Sequence, residues 1–275
     1  MLEELALKRA ADVMRESAPI MDKDYSLATV LEKIDKYKTD RAILTEDKKL
    51  RGILTFRDVI YKLGTVRTKQ ATPSGMHASS FMSEPVRYVT GDEPLLQALK
   101  HMDELKATSI PVVDSDGRPT GIISRWELAE HLVENPVAVD TSVRNIMRTF
   151  PVSVSLTTRI LNVRQLLFQH NLSVVPVMED GEFLGVIGVD EILEVFVKYY
   201  ELSRGEPKRL TPLKYVIVSS AIRLRPPRVT PDASIAEAAD KMLSHRYRAV
   251  IVVDDGVPVG HITGLELASF VLRGA

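Results

Sequence analysis

The chain has 275 residues, with 36 lysines and arginines against 37 aspartates and glutamates. Its net charge of −1 removes the electrostatic basis expected of a nucleic-acid or membrane-surface binder. At 45% hydrophobic and 27% charged it has the composition of a globular protein with a packed core. The absence of cysteine excludes disulfides, thiolate metal sites and cysteine nucleophiles.

The first fourteen residues, MLEELALKRAADVM, alternate charge with Leu and Ala at helical spacing and read as a soluble helix, without the apolar stretch and cleavage site of a secretory signal. The longest apolar runs, such as Ala249 to Val253, are a few residues long against the roughly 20 needed to span a membrane, so a cytoplasmic chain with no membrane contact is expected. Four segments then repeat one pattern: an apolar pair beside a proline, an amphipathic helix, an apolar strand ending in an acid, and a glycine followed by two apolar residues. The strand-to-acid segments are Arg41 to Asp47, Ser109 to Asp114, Val174 to Asp180 and Arg248 to Asp254. Each is followed by a short strand running into a helix: Gly52 to Asp58, Gly121 to Glu127, Gly185 to Glu191 and Gly260 to Glu266.

Each unit thus reads strand, helix, strand, strand, helix, an α+β (mixed α/β) fold made of four β-α-β-β-α repeats. The copies are expected at 1–68, 69–136, 137–203 and 204–275 and pair as 1–136 and 137–275. A unit of about 60 residues buries only about 60% of its unfolded surface, so the units are expected to pair through their sheets. Linkers are expected at Thr65 to His77 and Glu201 to Pro212, and the Asn135-Pro136 step divides the halves.

The quartet of Ser-Ile-Pro-Val-Val-Asp (109 to 114) followed by Gly-Ile-Ile-Ser-x-x-Glu (121 to 127) resembles the cystathionine beta-synthase (CBS) domain, and the resemblance takes in all four copies. Two tandem pairs resemble two Bateman modules, the layout of archaeal four-repeat proteins and of the gamma subunit of AMP-activated protein kinase. The resemblance implies a regulatory protein that binds AMP, ADP or ATP in clefts between paired repeats and signals to a partner or within a homodimer. S-adenosylmethionine is the alternative ligand. An interaction scaffold with decayed sites is the alternative role, supported by the glycine at 188 and by glutamate in place of aspartate in three copies.

The residues themselves show why the stretch suits a nucleotide. A Thr or Ser that ends a strand and opens a helix leaves N–H groups beside its hydroxyl for a phosphate, and an Asp three residues on can accept both ribose hydroxyls. Gly at the start allows close backbone approach. Thr55 with Asp58 has this pairing, as do Ser124 with Glu127 and Thr263 with Glu266; Gly188 removes the hydroxyl before Glu191. The same spacing is a helix capping box, and for Ser124 and Thr263 both readings stand. Asp is shorter and poorer at reaching back to the cap N–H, which favours ribose at Asp58.

The resemblance further implies a phosphate-facing residue just before the second strand: Arg41 and Arg248 occupy that position in copies one and four, Arg248 being favoured by its basic neighbours in His245-Arg-Tyr-Arg248, and Ser109 and Ser173 occupy it or lie one residue away in copies two and three. It also implies a first strand lining the base pocket, through Val86, Arg87 and Tyr88. A solvated arginine and a half-buried strand tyrosine are the ordinary alternatives. The six histidines form no ligand spacing, and no nucleophile elbow, P-loop or dinucleotide turn is present, so neither a metal, a cofactor nor catalysis is expected. Met102, Met147 and Met242 read as core fillers, and Trp126 as packing against the sheet or a partner.

Overall fold

A computed structural model describes residues 2–63, 73–133, 135–202 and 213–274. Two short helices, α1 (Leu2–Leu7) and α2 (Ala10–Val13), precede the first repeat, which runs β1 (Ile20–Asp22), α3 (Leu27–Lys36), β2 (Arg41–Glu46), β3 (Lys49–Thr55) and α4 (Phe56–Leu63). The second runs β4 (Val89–Thr90), α5 (Leu95–Glu104), β5 (Ser109–Val113), β6 (Pro119–Ser124) and α6 (Arg125–Val133), and α7 (Pro136–Asp140) follows. The third runs α8 (Ile160–Gln169), β7 (Val174–Glu179), β8 (Glu182–Gly188) and α9 (Val189–Leu202). The fourth runs β9 (Arg228–Val229), α10 (Ile235–His245), β10 (Ala249–Asp254), β11 (Val257–Thr263) and α11 (Gly264–Gly274). No described helix is long and apolar enough to cross a membrane.

The expected order holds in three copies, with a parallel first strand beside an antiparallel hairpin. In the third copy the first strand shrinks to one parallel bridge, Val154 to Val177. Local chemistry builds the parts. Ser26 and Ser234 cap α3 and α10 by accepting from the N–H groups of Thr29 and Glu237. Leu27, Val30 and Ile34 then line the buried side of α3 at helical spacing. Tight hairpins turn through left-handed pairs, Asp47-Lys48, Asp180-Gly181 and Asp255-Gly256, which suit the twist of the strands they join. All four hairpins carry a register shift at the same place, between Leu44/Thr45, Val112/Val113, Val177/Met178 and Val252/Val253.

The Asn135-Pro136 step opens a short helix. Asn135 caps α7 by accepting from the N–H groups of Val137 and Ala138, and Pro136 sits at the first turn, where its missing N–H is harmless. Of the expected linkers, residues 65–72 and 203–212 lie outside the described residues.

The described chain forms two compact units, one of Met1–Glu16, Arg87–Pro151 and Arg225–Ala275, the other of Ser17–Val86 and Val152–Leu224. The first gathers repeats two and four around a core that includes Leu99, Leu128, Ile235 and Val271; the second gathers repeats one and three around Leu27, Ile60, Val163 and Phe196. Inside each unit helices join the two repeats: α6 packs on α10 and α11 in the first, α4 on α9 in the second. In the second unit two arginines lock this arrangement. Arg57 donates to the carbonyls of Leu172 (2.7 Å) and Leu167 (3.4 Å) beyond and within α8, and Arg164 donates to those of Ile60 (2.8 Å) and Tyr61 (2.7 Å) at the end of α4. Arg164 thereby satisfies two carbonyls that the end of α4 leaves open.

The segment that leads each repeat docks on the hairpin of the neighbouring repeat. Arg15 bridges Ile122, Ser83 bridges Ile53, Arg148 bridges His261 and Arg223 bridges Val186, all antiparallel. The backbone N–H groups of these four residues donate to the opposing carbonyls at 2.8 to 3.0 Å. This exchange is the reason for the repeated glycine. A Cβ on Gly52 would come within 2.9 Å of the Ser83 carbonyl oxygen, and one on Gly121 within 2.9 Å of that of Arg15. The close approach that the glycine permits is therefore by a neighbouring protein segment.

Candidate functional site

In every repeat the last residue of the hairpin is followed directly by a helix, and the acid falls on the third helical residue. Thr55, Ser124, Gly188 and Thr263 donate their backbone N–H to Asp58, Glu127, Glu191 and Glu266 at 2.8, 2.7, 2.9 and 2.8 Å. In the three copies that have a hydroxyl, it donates to the same carboxylate oxygen. It also accepts from a helix N–H: Asp58 (3.2 Å), Trp126 (3.3 Å) and Leu265 (3.2 Å). The acid's half of the capping box is thus made in all four copies, and the hydroxyl's half in three, Gly188 having no side chain to supply it. Asp58 does reach back, contrary to the expectation from its length, because the carboxylate folds over the cap residue with Thr55 as a second donor.

The other carboxylate oxygen separates the repeats. The residue placed against it comes from the docked leading segment, where a large apolar residue is followed by Arg15, Ser83, Arg148 or Arg223. Arg15 Nε lies 2.8 Å from Glu127 Oε1, with Arg15 Nη2 3.0 Å from Glu130. Arg223 Nε donates to Glu191 Oε1 at 2.6 Å. Arg148 lines a groove of about 410 Å³ with Glu266, Ser269 and Arg273, and its charge opposes protonation of Glu266. Only in repeat one is the partner neutral: Ser83 Oγ donates to Asp58 Oδ1 at 2.8 Å.

Burial divides the copies differently: Glu127 and Glu191 are buried, 3% and 4% exposed, whereas Asp58, with Thr55, and Glu266 are half-buried. Burial pushes the Glu191 carboxyl up, Asp190 adds to this, and Arg223 pulls it back. Glu266 is also raised by burial, against its bonds to Thr263. Removing an arginine from a buried carboxylate leaves an uncompensated charge, which typically costs about 3 to 5 kcal/mol. Replacing one hydroxyl donor by another at Asp58 exchanges like for like.

Strand register places the remaining candidates. Arg41 and Ser109 stand directly opposite Thr55 and Ser124, so their side chains share a face with the motif. Arg248 and Ser173 each lie one residue earlier; Ala249 and Val174 take the position opposite Thr263 and Gly188. Arg41 and Arg248, matched by sequence, are therefore not equivalent. Arg41 is 2% exposed, held by Asp40 through Nε (2.8 Å) and Nη2 (3.1 Å), and its buried Nη1 has no hydrogen-bond partner among the described residues. Ser109 and Arg248 are buried, and Ser173 is half-buried. Val86, Arg87 and Tyr88 precede β4 rather than forming a strand, because the parallel ladder with β5 begins at Val89. Arg87 and Tyr88 are exposed.

Sequence reasoning missed Asp40 and the four leading-segment residues. Their signal was present in Met14-Arg15, Met82-Ser83, Met147-Arg148 and Ile222-Arg223, an apolar residue followed by a polar one at the same point of each copy. Met102 and Met242 are fully buried in the first unit's core, and Met147 and Trp126 pack against it.

Four strand, helix and hairpin repeats with one shared helix cap define a tandem-repeat α+β protein. The chain belongs to the CBS domain family, whose profile matches residues 10–65, 78–134, 143–198 and 218–273. An uncharacterised protein of Methanocaldococcus jannaschii, MJ1404, is 26% identical over 188 residues, 66% of this chain and 44% of that protein, so the chain spans under half the length of this relative. A 33.4 kDa protein from a ribosomal RNA operon of Thermofilum pendens is 23% identical over 230 residues, 78% of this chain and 74% of its own length. The L-aspartate semialdehyde sulfurtransferase of M. jannaschii is 22% identical over 177 residues, 63% of this chain but 34% of the enzyme. Among solved structures, protein MJ1225 of M. jannaschii, described as a proposed archaeal homologue of γ-AMPK, superposes with a TM-score of 0.82 at 13% identity over 95% of this chain and 99% of its own. An uncharacterised conserved protein of Pyrococcus horikoshii gives 0.63 at 17% identity over 96% and 99%. At these identities the likeness is one of fold.

Proposed function

We propose that the chain is a regulatory adenine-nucleotide-binding protein whose working site is in repeat one. Asp58 accepts the ribose hydroxyls, Thr55 offers its hydroxyl at the helix start, and Arg41 turns its one unsatisfied nitrogen to a phosphate oxygen. The observation that carries this reading is the half-buried Asp58 with a neutral partner, beside a buried arginine nitrogen that lacks an acceptor among the described residues. A buried, unpaired donor is costly, and a ligand oxygen would satisfy it. A ligand that binds one conformation better than another shifts their populations, which is all a regulator needs in order to bias a partner protein or a second copy of itself. Catalysis forms no part of the reading; the sulfurtransferase match leaves two thirds of that enzyme without a counterpart here.

The test is calorimetric titration with AMP, ADP, ATP and S-adenosylmethionine on the wild type and on Asp58→Asn. Asparagine keeps an oxygen for the Thr55 N–H and removes the charge that ribose hydroxyls prefer. Heat with at least one adenine nucleotide, weakened at least tenfold in Asp58→Asn with the fold intact, is expected. Absence of binding to all four ligands would reject the reading. It would favour the scaffold role, for which the buried, arginine-paired Glu127 and Glu191 speak.

A further inference from the structure

The four equivalent acids are not in equivalent states, and the difference lies in one residue supplied by the neighbouring repeat's leading segment. In repeats two and three that residue is an arginine whose Nε sits 2.8 and 2.6 Å from the acid. In repeat one it is Ser83, which is exposed and donates a single neutral hydrogen bond to Asp58. A ribose diol binds a carboxylate by offering two hydroxyl protons to its oxygens. At Glu127 one oxygen is taken by the Ser124 N–H and hydroxyl, and the other forms a 2.8 Å ion pair with Arg15 Nε without hydrogen-bond alignment, so there the latch acts through charge and the space it fills. At Glu191 one oxygen takes the Gly188 N–H, and the other the Arg223 guanidinium. A neutral hydroxyl does not displace a charged donor from a buried carboxylate.

We infer that Arg15 and Arg223 are built-in latches that occupy the ribose position of repeats two and three, so that residue 83, and not the Thr/Ser-x-x-acid motif, decides which repeat accepts a nucleotide. This rests on the nucleotide reading of repeat one and sets its stoichiometry: at most two nucleotides per chain, one of them on Asp58. The latch is transferable. An arginine placed at 83, at the same point of its leading segment as Arg15, closes the Asp58 site; a serine at 15 leaves Glu127 with the partner that Asp58 has.

The experiment is calorimetric titration of the full chain with AMP and with ATP for the wild type, Ser83→Arg and Arg15→Ser, with circular-dichroism melts of each. Residue 83 is exposed, so Ser83→Arg does not depend on a buried change being tolerated. It is expected to weaken nucleotide binding at least tenfold while the melting temperature is kept or raised. This runs against the ordinary effect of an added positive charge, which strengthens binding of a phosphate. Arg15→Ser is expected to add one site per chain, lost again in Arg15→Ser/Glu127→Gln; Arg15→Gln, which keeps a donor, is the substitute should the serine variant not fold. Wild-type affinity in Ser83→Arg, or three or more sites on the wild-type chain, would overturn the latch while leaving the Asp58 reading in place. No binding by the wild type and the Arg15 variants alike would overturn both.

Discussion

Asp58 and His261 show how one side chain within a repeated frame changes what the frame can do. Ile53, Ile122 and Val186 hold the position after the repeated glycine in repeats one to three, and His261 holds it in repeat four. His261 is 1% exposed, stacks on Phe150 at 4.7 Å between ring centroids, and its Nδ1 has no hydrogen-bond partner among the described residues. Burial, helped by the charge of Arg148, holds its pKa down to about 4. The folded-state value lies below the unfolded one, so the unfolded chain binds the proton first as pH falls. The His261 contribution to stability is present above about pH 6.5 and is lost progressively toward pH 4, by about 2 kcal/mol at pH 5. Urea unfolding at pH 7 and pH 5 is expected to show that loss in the wild type and much less of it in His261→Ile. Glu191 and Glu266, whose raised values act in the opposite sense, are common to both proteins and cancel in the difference. Equal pH dependence in the two would contradict the assignment.

The elements were legible where a short-range pattern makes them and obscure where a distant segment does. Hairpins and the helices after them follow from apolar runs, Asp-Gly turns and the Thr/Ser-x-x-acid cap, all local signals. The first strands were harder, because two or three residues form a parallel ladder only when a separate hairpin supplies the register. The segment at Val86 to Tyr88 thus stays outside β4, and Val154 makes a lone bridge. The repeated glycine was legible as a point of close approach, but what approaches it is a segment far away in sequence. Gly52→Ala would drive a methyl group against Met82 and the Ser83 backbone and is expected to destabilise the fold by about 1 to 3 kcal/mol, the usual range for overpacking. Arg164→Ala would strip two carbonyls at the end of α4 of their donor and is expected to cost about 1 to 3 kcal/mol. Denaturant midpoints measure both, and a change under about 0.5 kcal/mol, the range of ordinary surface substitutions, would contradict the packing described.

At the scale of the molecule, the repeat count and the family came from the sequence because fourfold recurrence survives drift that erases any single motif. The interleaving of repeats in the two compact units did not, since no local signal records which helices pack together. Of the site, Thr55, Asp58 and Arg41 were visible as residue types. The division of the first three copies into latched and open was not, because it depends on Arg15, Ser83 and Arg223, which lie 25 to 112 residues from the acids they meet.

Repeat one alone among the first three copies is expected to carry a nucleotide on its helix cap. Amide hydrogen exchange of the full chain, with and without saturating AMP, reads each repeat separately in one experiment. Slowed exchange at Thr55 to Val59, with Ser124 to Leu128 and Gly188 to Ile192 unchanged, is the predicted result. Protection that falls equally on all three caps, or on those of repeats two and three while Thr55 to Val59 is unaffected, would contradict it.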